Sequence, residues 1–230
     1  MLRSLLLLLL LGWLPIAVYA QVQSEAAGGA GPAAPGSPTV TFTLDFPDSQ
    51  PAHYAIRVLS AGDAHYESSG RPDASSGVTD SFDFDFPVSA QSRARIFALA
   101  ANAGYFEKDV DAHRKNIAFT GKKVLRYTDG SRTGEAVYNY SSNASVQELT
   151  TLFQNLSATL EFGHRLDYDR RYQKLALNDE LKLMQEMKDS RSLTEVNAIK
   201  PILEKIVADQ SVMNVARARA QRLLKDAEGR

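Results

Sequence analysis

Two periods divide this chain. From Thr39 apolar and polar residues alternate with a period of two, and from Asn143 the period becomes helical. In TVTFTLDF, Val40, Phe42 and Leu44 oppose Thr39, Thr41 and Thr43, which predicts a half-buried strand ended by Pro47 and Pro51. HYAIRVL alternates Tyr54, Ile56 and Val58. A turn at Ala61-Gly62-Asp63 then leads into AHYESSG, the second strand of a hairpin. Residues 71–79 read as a loop rich in Ser, Gly, Asp and Pro. SFDFDF puts Phe82, Phe84 and Phe86 on one face and Asp83 and Asp85 on the other. Ser89 is the predicted N-cap of a helix to about Ala103, with Ile96, Phe97, Leu99 and Ala100 as its apolar stripe and Gly104 at its C-cap. Tyr105 and Phe106 are expected to pack back. NIAFT, KVLRYT and EAVYNY predict two or three more strands, with Asp129-Gly130 as a hairpin signal between the last two.

The second half predicts helices. Ser145-x-x-Glu148 reads as a capping box ahead of a stripe of Val146, Leu149, Leu152, Phe153, Leu156 and Leu160. Gly163 is expected to mark a bend, after which Tyr168, Tyr172 and Leu175 continue the stripe. Asn178 is the expected cap of a short helix carrying Leu181, Met184 and Met187. Ser192-x-x-Glu195 reads as a second capping box, opening a helix with Val196, Ile199, Ile202, Leu203 and Ile206 that Pro201 should kink. A last helix spans about Val212 to Ala227. The predicted fold class is α+β: a small antiparallel sheet with one packed helix at 39–142, followed by a C-terminal helical array at 143–230.

The N-terminus changes the picture of where this domain works. Arg3 precedes seven consecutive leucines, Leu5 to Leu11, and Val18-Tyr19-Ala20 fits a cleavage site before Gln21. Residues 1–20 therefore read as a secretory signal peptide, with an uncleaved anchor as the alternative. Residues 21–38, rich in Gly, Ala, Pro and Ser, read as a disordered linker. The expected location is secreted or periplasmic, with no membrane attachment after cleavage. The formal net charge of −1 gives no reason to expect nucleic acid as a partner. The chain contains no cysteine, which excludes thiol catalysis, zinc–cysteine sites and a lipid anchor on cysteine.

Pro51, Tyr54, Gly62, Tyr66, Gly70, Gly104, Tyr105, Phe106, Asp129 and Gly130 give residues 39–156 a pattern that resembles an uncharacterised small α+β domain family of exported bacterial proteins. The resemblance implies that fold and export, and brings no activity with it. Departures from the pattern are the missing cysteine before the proline and the long 71–79 loop. The segment Ala198 to Leu224 is similar to one helical pair of the HEAT type. No second copy is found upstream, so a helical hairpin packed on the domain is the preferred reading.

Candidate chemistry is sparse. His53 and His65 lie on paired strands, but a turn at 61–63 sets His65 against residues near Val58 to Ser60 and keeps the two apart. Asp109, Asp111 and His113, and separately Asp80, Asp83 and Asp85, contain oxygen ligands that suit calcium, without EF-hand spacing. Each reads more simply as a solvated acidic loop or strand face. Glu67 and Glu135 are the conceivable carboxylate pair of a hydrolase. Tyr138 and Tyr140 share a strand face and form either core or a ligand platform. Three Asn-x-Ser sequences, at Asn139, Asn143 and Asn155, read as coincidence rather than glycan acceptors.

No catalytic, cofactor-binding or metal-ligating residue is assigned, and no cofactor is expected. The preferred reading is an exported non-catalytic protein that contacts a protein partner through its C-terminal helices. A deletion after Leu175 is then expected to leave a folded sheet domain. The alternatives are a hydrolase using carboxylates or serine in a sheet–helix cleft, and a weak ligand- or glycan-binding module.

Overall fold

The computed structural model of the protein describes residues 36–70 and 80–228. The expected signal peptide, most of the expected linker and the 71–79 loop lie outside the described residues. The last residues assigned to the linker belong to the folded unit: the Pro38 carbonyl accepts a hydrogen bond from the Ser60 N–H at 2.8 Å.

The strands are β1 (Thr39–Asp45), β2 (His53–Leu59), β3 (Asp63–Gly70), β4 (Asp80–Pro87), β5 (Lys122–Thr128) and β6 (Thr133–Tyr138). They form one six-stranded antiparallel sheet in the order β4-β3-β2-β1-β5-β6. The helices are α1 (Ala90–Asn102), α2 (Ala144–Tyr172), α3 (Leu177–Asp189), α4 (Lys200–Ala208) and α5 (Asn214–Glu228), with short 3₁₀ turns at Gly104–Phe106 and Val196–Ile199. This is the expected α+β class. The alternation seen in the sequence sorts the sheet into two faces, as antiparallel sheets with one solvated side require. Phe42, Ile56, Tyr66 and Leu125 share the helix-covered face and are fully buried. Thr41, Arg57, His65 and Arg126 lie on the open one.

NIAFT forms no strand. Side chains take over the work of a ladder there. The Thr120 N–H donates to Asn139 Oδ1, and Asn139 Nδ2 donates to the Ala118 carbonyl. The ammonium of Lys123, a residue only 4% exposed, donates to carbonyls of Thr120, Gly121 and Asn139. Burial lowers its pKa, and the nearby Asp111 charge opposes that shift.

α2 is the spine of the molecule. Its N-cap is Asn143, whose Oδ1 accepts from Ser145 and Val146 N–H, rather than the expected Ser145 box. Glu148 reaches Arg95 on α1 instead. Two stripes run along this helix. Val146, Thr150, Phe153, Ser157, Glu161 and His164 follow helical spacing toward the sheet. Phe153 stacks on Phe42 at 5.3 Å, and Tyr138 OH meets Thr150 Oγ1 at 2.6 Å. Asn155, Thr159 and Gly163 face the other helices: Asn155 Nδ2 donates to the Arg191 carbonyl and Thr159 Oγ1 to the Thr194 carbonyl. Gly163 makes no bend. A Cβ there would stand 2.5 Å from Ile199 Cγ2, so glycine lets the Val196–Ile199 turn approach the helix.

The other helix signals were also redirected. Pro201 lies in the first turn of α4, where its missing N–H is harmless, and produces no kink. Glu195 caps no helix of its own. It takes φ +54° and turns its carboxylate to the start of α1, accepting from Ser89 N–H at 2.9 Å, Ser89 Oγ at 2.6 Å and Ser92 Oγ at 2.5 Å. A carboxylate there satisfies otherwise orphan donors and complements the helix dipole. Asn178 lies inside α3, whose N-cap is Ala176, and its Oδ1 accepts from Arg219 Nε of α5. α4 and α5 form the expected helical hairpin, packed against α3 and α2. One hydrophobic cluster runs without interruption from the sheet through α2 into α3–α5.

Candidate interaction surface at the end of the long helix

His164, stacked on Phe82 of β4 at 4.3 Å, is the last sheet-facing residue of α2. Beyond it, Arg165, Tyr168, Asp169 and Tyr172 recur at helical spacing beside α3. Arg165 Nε donates to Glu180 Oε1 of α3 at 2.5 Å. Asp167 is shared by Arg170, at 3.1 Å, and Arg171. Lys174 bonds Asp209 at 2.9 Å and also Ser211, which ties the α2–α3 connection to the turn before α5. Ser211 first, and Lys174 second, hold the Asp209 carboxyl well below the usual carboxylate range.

Three large side chains are left in solvent within this framework of ion pairs. Tyr168, Tyr172 and Leu175 are 50%, 70% and 79% exposed, and the two tyrosine rings lie 5.0 Å apart. Next to Tyr168 in the chain is Asp169, whose carboxylate makes no hydrogen bond or ion pair among the described residues and feels the charges of Glu180 and Arg165. Burial raises its pKa, the Glu180 charge adds to the rise, and Arg165 opposes it. The arrangement combines adjacent amphipathic rings, which suit contact surfaces, with a half-buried carboxylate that has no direct ion-pair partner among the described residues.

The sequence-derived candidates are placed as follows. Glu67 and Glu135 are not brought together. Their strands are four positions apart in the sheet, about 19 Å at ~4.8 Å per strand, and Glu135 is paired with Arg126. His65 lies opposite Arg57, not Val58 to Ser60. His53 and His65 remain apart, each bound to its own carboxylate, Asp45 at 2.6 Å and Asp85 at 2.7 Å. The Asp80 cluster is split by strand alternation: Asp80 faces His164, whereas Asp83 and Asp85 lie on the open face.

Asp109, Asp111 and His113 do converge, but on one another and on backbone. Asp109 bonds the His113 ring at 2.6 Å, and Asp111 accepts N–H groups of His113 and Asn139. The Asp109 hydrogen bond raises the His113 pKa and in turn lowers that of Asp109. Tyr138 is buried and Tyr140 is 36% exposed under Arg114, so they form no exposed row. The three sequon asparagines each hold structure, Asn139 in the 118–120 segment, Asn143 as the α2 cap and Asn155 at the Arg191 carbonyl.

Two features escaped the sequence. Glu161 Oε1 accepts from Tyr66 OH at 2.6 Å and Ser68 Oγ at 2.7 Å at the sheet–α2 boundary, with Ser157 2.9 Å from the same phenol. Burial and the Glu161 charge push the Tyr66 phenol far up, which keeps it a donor. A groove of about 900 Å³ lies between α1, α2 and residues 193–197, floored by Ala98, Leu152 and Leu193. The ion pairs Arg95–Glu148 and Lys188–Asp226 lie beside it. Both features depend on contacts between segments about 40 to 110 residues apart and have no local signature.

No protein-family model matches this chain, and no curated protein matches it.

Proposed function

We propose that this protein is an exported, non-catalytic interaction module that grips a protein partner at the end of α2. The observation that carries the reading is the contacting, solvent-exposed pair Tyr168 and Tyr172, with the half-buried carboxylate of Asp169 next to Tyr168 in the chain and outside any ion pair among the described residues. Leaving it there works against the fold: its raised pKa means that ionisation disfavours the folded state, so stability falls as pH rises through that pKa. A lysine or arginine from a partner would reverse the sign, and the rings of Tyr168 and Tyr172 would cover its aliphatic stem. The partner is therefore a protein that presents a cation beside an apolar side chain.

The leader-like pattern of residues 1–20 and the resemblance of residues 39–156 to exported bacterial domains support a secreted or periplasmic location. Among the described residues no helix is long and apolar enough to cross a membrane. Intact-mass analysis of protein from the extracytoplasmic fraction is expected to give a chain beginning at Gln21. A chain retaining Met1 would overturn cleavage.

Partner capture from envelope extract tests the surface. Wild type is expected to retain a specific partner whose affinity weakens on acidification, as Asp169 takes up a proton. Tyr168→Ser/Tyr172→Ser and Asp169→Asn should each weaken it by about tenfold or more, as central interface residues do, with melting temperatures at or above wild type for Asp169→Asn. Equal retention by both variants would sink the reading. The sheet–helix hydrolase is not favoured, since of the two carboxylates at that boundary Glu161 has an oxygen already taken by two hydroxyls and Asp80 faces His164.

A further inference from the structure

The two edges of the sheet are treated differently. At the β6 side, residues 104–106 pack on the helix-side face of the strand, and just past its end Asp111 bridges Ser141 and the Ala112 N–H donates to the Tyr140 carbonyl at 2.8 Å. The outer edge of β4 has no backbone partner among the described residues. Eight residues long, it turns alternate N–H and C=O groups outward, the template for another strand.

Its side chains are of two kinds. On the helix side, Phe82 and Phe84 are only half-buried and continue a ladder of rings, His164–Phe82–Phe84–Phe86, with spacings of 4.3, 5.9 and 6.2 Å. On the open side stand Asp83 and Asp85, beside Asp63 and Glu67 of β3, all exposed. Neither β3 nor β4 contains lysine or arginine, and His65 is engaged by Asp85.

We propose that β4 accepts an extended basic segment of a partner protein as a seventh strand. Alternation fixes the pattern of that segment. Lysine or arginine at every second residue would meet Asp83 and Asp85, and the apolar residues between them would cover Phe82 and Phe84. Carboxylates alone would blunt an edge, but an edge that is merely blunted has no use for two half-exposed phenylalanines. The same charges repel a second copy of this chain, whose β4 is equally acidic. This surface is separate from the end of α2, and either reading stands without the other.

The test uses the full chain and a fluorescent seven-residue peptide alternating lysine and valine, at about 0.15 M salt. Saturable binding is expected, with slowed amide exchange along β4. A peptide of the same sequence methylated at every backbone nitrogen keeps every charge but cannot donate to the edge, and should bind at least about tenfold more weakly. Asp83→Lys/Asp85→Lys should lose binding by a similar factor and gain it for a glutamate–valine peptide. Both changes are on exposed sites, and circular dichroism checks that the fold is kept. Absence of binding to wild type, equal binding of the N-methylated peptide, or a concentration-dependent dimer paired through β4 would each overturn the proposal.

Discussion

A chain ending at Leu175 is expected to lose cooperative folding. It keeps every strand and all of α2, and the change in sequence periodicity suggests that it would survive. The packing gives the opposite result. α2 is buried on two sides, and the side toward Thr194 and Ile199 holds Thr159, Phe162, Gly163 and Leu166, each buried. Removing α3–α5 exposes that side along a helix that must still cover the sheet. Two side chains the size of Phe162 and Leu166 cost about 1.5–3 kcal/mol each on exposure. The deletion also removes Glu195 from the start of α1. Domains of this kind are stable by about 5–15 kcal/mol, so the roughly 3–6 kcal/mol from these two side chains alone is a large share of the total. Urea titration followed by circular dichroism should show a broad, low-midpoint transition and early aggregation. A sharp transition with the full-length midpoint would show that the sheet and α2 are independent. For this reason the partner surface is tested by substitutions at Tyr168, Tyr172 and Asp169, and not by deletion.

The same helix explains what was legible in the sequence. Period-two alternation is a local property, and it placed β1, β2, β3, β4, β5 and β6 near their observed positions because each strand has one wet face. Helical periodicity likewise located α1 to α5. Signals whose partners lie elsewhere in the chain were misread. Ser192 and Glu195 have the spacing of a capping box, yet Glu195 bonds Ser89 and Ser92, more than a hundred residues away. NIAFT alternates like a strand, but Asn139 and Lys123 satisfy the backbone near it. Gly163 reads as a bend when its neighbours along the chain are considered, and as a contact once Ile199 is in place. The candidate site followed the same rule. Tyr168, Tyr172 and Leu175 were visible as a stripe, but their exposure depends on where α3 ends its cover. Asp169 acquires its raised pKa from burial and from Glu180, a residue on another helix. Tyr66, Ser68 and Glu161 carry no joint signature at all.

Gly134→Ala is expected to be the most damaging single methyl addition in the sheet. β6 places Gly134 under the turn that follows α1. A Cβ at that position would lie 2.1 Å from the Tyr105 carbonyl oxygen and 3.1 Å from both the Phe106 carbonyl carbon and the Glu107 nitrogen. All three are backbone atoms, so no side chain can swing aside. The turn has little freedom to retreat. Tyr105 and Phe106 already occupy left-handed conformations, with φ of 54° and 64°, which non-glycine residues adopt at a cost. Phe106 is fully buried, and the Tyr105 ring is held between Tyr127, at 4.6 Å, and the Arg132 guanidinium, at 4.3 Å. Relief therefore requires drawing Phe106 out of the core or parting β6 from the turn. Overpacking costs about 1–3 kcal/mol where side chains absorb it, and here backbone must, so a loss of about 3 kcal/mol or more is expected. Gly104→Ala is the control, because that glycine has φ +66° but nothing within 4 Å of its Cβ position. It carries the conformational penalty alone, about 1–2 kcal/mol. Urea midpoints at constant m-value measure both. If Gly134→Ala were no worse than Gly104→Ala, the turn would be free to lift from β6, and its packing on the helix-side face of the sheet would be a weak contact rather than a fixed one.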